Sequence, residues 1–171
     1  MTKLYITAIA VCIMACLIPI APLMAVSVGS PFYTHFTYQF AHAGIMHWLI
    51  NAWALLVLHN ILSLPRLAVA YTVSVLITFS PLSSFLSPLT SHLSPLLGSS
   101  VITCFFFGFL APYFWRKGEK LTASMMLALI LVGFFIPGMA ALPHLLMFLS
   151  GIAWFFIERL VANIRQFVQC P

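Results

Sequence analysis

Gly98-Ser99-Ser100-Val101-Ile102-Thr103-Cys104-Phe105-Phe106-Phe107-Gly108-Phe109-Leu110-Ala111-Pro112-Tyr113-Phe114-Trp115-Arg116 carries no charge until its last residue. Pro95 lies just ahead of it and Lys117-Gly118-Glu119-Lys120 just beyond. A helix from Ser100 to Arg116 rises roughly 24 Å at 1.5 Å per residue. A bilayer's hydrocarbon core is about 30 Å thick. A helix anchored by Arg116 at one surface therefore starts below the other. Ser100 then sits at a sunken helix N-terminus, among free N–H groups and the positive end of the helix dipole.

The whole chain fits this setting. Hydrophobic residues make up 63% of it and charged residues 5%, with a mean hydropathy of +1.13. Soluble domains carry about 25% charged residues, so the composition is that of an integral membrane protein. The net charge of +5 comes from isolated basic residues between apolar runs. No basic patch is present, and a nucleic-acid partner is not expected. In a membrane protein such charges report orientation instead.

They fall in four places: Lys3, Arg66, Arg116 to Lys120, and Glu158-Arg159 with Arg165. The uncharged blocks between them, residues 4–65, 67–115 and 121–157, are each long enough for two spans of about 20 residues and a turn. This predicts a six-transmembrane-helix bundle, all-α, forming a single domain over residues 1–171. Every charged cluster lands on the cytoplasmic side, with both termini cytoplasmic. A cleaved signal peptide ending near Met24-Ala25-Val26-Ser27 is the alternative for the first run. That run, Leu4 to Val28, is longer than a usual signal core.

Pro19 and Pro22 predict a kink in the outer part of the first span. The segment from Gly29 to Ala43 is rich in Phe, Tyr and His and suits the outer interface, with His35 an interfacial residue. The second span runs from Gly44 to just before Pro65. The third begins at Arg66 and fades after Phe79. A repeat follows, Ser80-Pro81-Leu82, Ser87-Pro88-Leu89 and Ser94-Pro95-Leu96. Its prolines oppose a helix and predict an irregular outer loop that includes His92. The fifth span covers Leu121 to Ile136, ended by Pro137-Gly138. The sixth starts near Pro143 and runs to Glu158-Arg159, with the tail a helix end lying along the inner surface. Cys12, Cys16, Cys104 and Cys170 have no metal-ligand spacing and read as small apolar packers.

The second, fourth and sixth spans run in one direction, and each ends at an arginine. Asn51, Ser100 and His144 then stand at a common height, on the order of 22–24 Å before Arg66, Arg116 and Arg159. His47 lies one turn from Asn51 on the same face. Polar groups inside a membrane are costly and face the bundle interior. A serine needs a base, and histidine is the usual one. Glu119 and Glu158 are the only acids, both at the cytoplasmic end, so the expected unit is a Ser100–His144 dyad. The lack of carboxylates argues against a metallo or aspartyl protease. Metal binding by His42, His47 and His144 is a minor alternative.

These residues also carry a resemblance. His42-Ala43-Gly44-Ile45-Met46-His47-Trp48-Leu49-Ile50-Asn51 resembles the His-x4-His-x3-Asn motif of rhomboid intramembrane serine proteases. Gly98-Ser99-Ser100 resembles the start of that family's Gly-x-Ser-Gly motif. Pro143-His144 with Gly151 resembles its motif on the sixth span. The resemblance covers Phe36 to Gly151. It implies a rhomboid-like fold and a serine endopeptidase that cuts membrane proteins in or near a transmembrane segment. Ser100 would be the nucleophile and His144 the general base. His47, Asn51 and the Ser100 N–H would form the oxyanion hole, with His42 and Gly98 supporting the site. No cofactor is implied. The fifth span and outer loops, with Phe134 and Phe135, would gate substrate entry from the bilayer of a bacterial plasma membrane.

Two positions depart from the pattern. Val101 replaces the second glycine of the serine motif, and Met147 the first glycine after the histidine. Both add bulk where small residues let helices approach. The stripe Ser100, Cys104 and Gly108 keeps one face of that helix small. The rival reading is a non-catalytic rhomboid-like protein that binds membrane helices. A small transporter is disfavoured, because no intramembrane acids and no matched broken helices are present.

Overall fold

The segment from Ser100 to Arg116 is the central helix of the structure, a computed structural model that describes residues 2–27, 29–79, 96–135 and 141–169. Among these residues the chain forms eight α-helices and no β-strand. They are α1 (Thr2–Cys16), α2 (Ala21–Met24), α3 (Thr34–Thr37), α4 (Ile45–Leu58), α5 (Leu64–Phe79), α6 (Ser100–Arg116), α7 (Lys120–Val132) and α8 (Ala141–Gln169). The bounds of α6 match the sequence expectation. The Ser-Pro-Leu repeat up to Pro95, His92 and the Pro137-Gly138 stop lie outside the described residues, as do Val28 and Cys170.

α6 packs against α8, α7, α5 and α4. Val101, Phe105 and Phe106 are fully buried in the main core, together with Met147 and Phe148 of α8. α8 is its principal partner because both helices present glycine at the crossing. A β-carbon on Gly108 would overlap the Phe148 carbonyl, and one on Gly151 the Phe105 carbonyl. Main chain meets main chain at both points, the close approach that small residues allow between apolar helices. α1 is peripheral: Val11 packs on Ala52 and Leu55 of α4, and the Trp48 indole donates to the Val11 carbonyl at 3.0 Å.

The outward faces of these helices are apolar. On α4 the stripe Met46, Ile50, Trp53 and Val57 is exposed, and on α7 so is the stripe Leu121, Met125, Leu129 and Val132. Soluble monomers rarely expose continuous apolar surface on this scale. One helix, over Ala141–Phe167, is by itself long and apolar enough to cross a membrane. Two bent pairs pass the same test when each is taken together. Thr2–Cys16 joins Ile18–Met24 at 46°, and Thr34–Phe40 joins Ile45–Leu58 at 81°. The first bend falls where Pro19 and Pro22 anticipate it. Leu64–Phe79, Ser100–Arg116 and Lys120–Phe135 are shorter apolar helices.

Two expectations need correction. The last helix does not end at Glu158-Arg159, and the tail, expected as a helix end, is its continuation. α8 continues unbroken to Gln169. Glu158 lies within it, and its charge is met across the fold. Arg66 donates to it in a fork, Nε to Oε1 at 2.8 Å and an Nη to Oε2 at 2.7 Å, and the Trp154 indole donates to Oε1 at 2.7 Å. The third helix starts at Leu64, two residues ahead of Arg66, so the arginine lies in its first turn.

Candidate active site

The site is assembled by the strand-like segment that leads into α6. Leu96 forms an antiparallel bridge with Val26, its N–H donating at 2.9 Å and its carbonyl accepting at 3.2 Å. The Gly98 N–H then donates to the Tyr38 carbonyl at 2.9 Å. Tyr38 is itself buried, and its hydroxyl donates to the Ser74 carbonyl at 3.3 Å. These bonds hold the chain from two sides just before the helix begins.

Gly98 makes the turn into α6 at φ +100°, a region that disfavours any side chain. A side chain there would also have to displace the His47 ring. A β-carbon there would sit 2.8 Å from Cε1 and 2.9 Å from Nε2 of His47. Glycine at this position is thus favoured by the turn, and the imidazole packed on it adds a second constraint.

The two serines that follow point to different histidines. The Ser99 hydroxyl is buried 3.4 Å from His42 Nε2, with the Ser99 N–H 3.5 Å from the same nitrogen. Ser99 has no exposed surface. Ser100 is the first residue of α6, and its hydroxyl lies 2.8 Å from His144 Nε2. This is within the range for a strong hydrogen bond and within the reach a general base needs. Ser100 is half-buried, whereas His144 is buried on the first turns of α8. The pair spans the α6–α8 crossing, so the glycine contacts at Gly108 and Gly151 govern its separation.

His47 and Asn51 occupy one face of α4, as their spacing predicts. The Ala43 N–H donates to His47 Nδ1 at 3.4 Å, which assigns the ring proton to Nε2. That Nε2–H is the edge packed on Gly98, two residues before Ser100. Asn51 is buried, and its amide donates to the His47 carbonyl one turn back at 2.8 Å. One of its two N–H groups is therefore engaged within α4, and the second is its remaining donor. The His42 and His47 rings meet edge to face, centroids 5.2 Å apart.

Val101 and Met147, the departures from the glycine pattern, are both fully buried. They pack in the core without separating Ser100 from His144. Cys104 is buried one turn after Ser100. His35 stacks on Phe79 with centroids 4.2 Å apart, and His59 bonds locally to the Leu56 carbonyl at 2.6 Å. Neither approaches the dyad through these contacts. Among the described residues no group of three or more His, Cys, Asp or Glu side chains has metal-binding geometry.

Sequence reasoning missed Ser99 as the partner of His42 and Tyr38 as the anchor of Gly98. No local signal marks either one, since both contacts join segments far apart in the chain. No family model, curated protein or solved structure matches the chain.

Proposed function

We propose that the chain is a rhomboid-like intramembrane serine endopeptidase with six membrane spans, in a bacterial plasma membrane with both termini cytoplasmic. Its substrates are membrane proteins, cut in or near a transmembrane segment. The observation that carries this reading is the 2.8 Å contact between Ser100 Oγ and His144 Nε2 at the start of α6. Supporting it are the free N–H groups expected in the first turn of a helix and the His47 Nε2–H beside Gly98.

In this mechanism Ser100 Oγ attacks the scissile carbonyl carbon, and its proton passes to His144 Nε2. The carbonyl oxygen, now negative, accepts hydrogen bonds from the Ser100 N–H, His47 Nε2–H and the second Asn51 N–H. Collapse expels the amine, which takes the proton from His144, and leaves an ester on Ser100. Water, deprotonated by His144, then hydrolyses the ester. The exposed apolar faces of α4 and α7 give a substrate helix a path from lipid. No cofactor takes part.

The test is labelling by a fluorophosphonate probe in detergent. Wild type and Ser99→Ala are expected to label, and Ser100→Ala is not. His144→Ala is expected to label about 10²–10⁴-fold more slowly, the usual contribution of a general base. Absence of labelling in folded wild type, or labelling that persists in Ser100→Ala, overturns the protease reading. Absence of labelling favours the non-catalytic helix binder.

A further inference from the structure

A second feature lies at the far end of the bundle from Ser100. Where the C-terminal halves of α4 and α6 meet α7 and α8, a cavity of about 950 Å³ opens. Its size falls within the roughly 300–1,000 Å³ typical of small-molecule sites. Val57, Phe107, Leu110 and Met126 make its walls largely apolar. Arg66, Lys117, Glu158 and Arg159 also line it. Arg66 and Glu158 neutralise each other in their ion pair. Lys117 and Arg159 form no ion pair among the described residues, so the lining carries two cations outside an ion pair. Each is held over a ring, Lys117 at 4.9 Å from Tyr113 and Arg159 at 5.0 Å from Phe155. Glu119 acts on Lys117 from the adjoining turn but does not line the cavity.

An open apolar groove with exposed cations, Lys117 and Arg159, in its lining matches an acyl chain joined to an anionic phosphate. Basic pockets between membrane helices on the cytoplasmic side bind anionic headgroups in this way. We propose that this cavity is a binding site for an anionic phospholipid of the inner leaflet, with acyl chain against Phe107, Leu110 and Met126 and phosphate between Lys117 and Arg159. The site rests on the membrane reading of the chain and not on the chemistry at Ser100, none of whose residues line it.

The test uses the full chain, delipidated in a neutral detergent and mixed with phosphatidylglycerol, phosphatidylcholine or inorganic phosphate. Bound lipid is counted by native mass spectrometry, and thermal unfolding is followed in parallel. Phosphatidylglycerol is expected to remain bound and raise the unfolding temperature, with phosphatidylcholine and phosphate doing neither. Lys117→Gln and Arg159→Gln are each expected to weaken retention about fivefold. Ala162→Trp, at an exposed position that lines the cavity, is expected to weaken retention by occupying part of its mouth while leaving both cations in place. This variant decides the matter if the charge variants fail to fold. Equal retention of the two lipids, an equal effect of phosphate alone, or undiminished retention in Ala162→Trp overturns the proposal. Ser100 labelling is read on the same samples. Lipid retention without labelling would sink the protease and leave the lipid site standing. Resistance of the chain to alkaline extraction from membranes tests the membrane reading separately.

Discussion

Gly151 of α8 lies against the main chain of Phe105 on α6, with no room for a β-carbon between them. Gly108 makes the reciprocal contact on Phe148. About two turns earlier on the same two helices stand His144 and Ser100. Contacts that advance together along both helices define a parallel crossing, so its spacing controls the Ser100–His144 distance. The bulk of Met147, one turn from Gly151, and of Val101, about two turns from Gly108, is accommodated because these glycines set the approach.

A methyl group at Gly151 must therefore push α8 from α6. Gly151→Ala is expected to slow fluorophosphonate labelling of Ser100 about hundredfold, the usual cost of displacing a reacting group by an ångström. Far-UV circular dichroism should stay that of a helical protein. Labelling within threefold of wild type would show that the crossing does not control the dyad.

Met147 gives the opposite test. The resemblance to rhomboid motifs predicts that a small residue here helps the site. Yet Met147 is fully buried against the α6 core. Met147→Ala is expected to destabilise the protein by about 2 kcal/mol, the low end for such truncations. In a lipid or detergent environment packing is the main term lost. Chemical unfolding in detergent measures this cost. A rise in labelling rate without loss of stability would show that Met147 is an obstruction and not a packing residue.

The extent of α6 was legible because its boundaries are chemical. Arg116 ends the apolar run, and Pro95 with Gly98 bars an earlier start. The Ser100–His144 contact was legible because the two residues lie almost equally far from Arg116 and Arg159 along their helices. The true end of α8 was not legible. Glu158-Arg159 looks like a terminus until Arg66 is known to pair with Glu158 across the fold. The His42–Ser99 pairing was hidden for the same reason, since the loop that brings Ser99 to His42 is held by Tyr38 and Val26. The engagement of Asn51 by its own helix depends on a side-chain rotamer, about which helical spacing says nothing.

Gly98 and His47 should be coupled. Gly98→Ala places a side chain in a left-handed conformation, costing about 1–3 kcal/mol, and also drives it into the His47 ring. His47→Ala removes the second penalty and leaves the first. The double variant is expected to be more stable than the sum of the single effects predicts, by about 0.5–3 kcal/mol. Equilibrium unfolding of the four proteins in one detergent gives this coupling. Additive effects would mean that His47 does not rest on Gly98 in solution.

The Arg66–Glu158 fork ties the start of α5 to α8 below the site, with the Arg66 guanidinium also over the Phe109 ring at 4.3 Å. Bidentate geometry makes this stronger than a single surface pair. The two side chains are still 26% and 30% exposed, so water weakens it. Glu158→Gln keeps the shape and the Trp154 contact but removes the charge, and it is expected to cost about 1 kcal/mol. Arg66→Ala is expected to cost more, about 2 kcal/mol, because among the described residues it leaves the Glu158 carboxylate with only the Trp154 donor. Adding Glu158→Gln to Arg66→Ala should then recover stability. Thermal unfolding of the three variants decides the matter, and a further loss in the double variant would show that Glu158 acts through some partner other than Arg66.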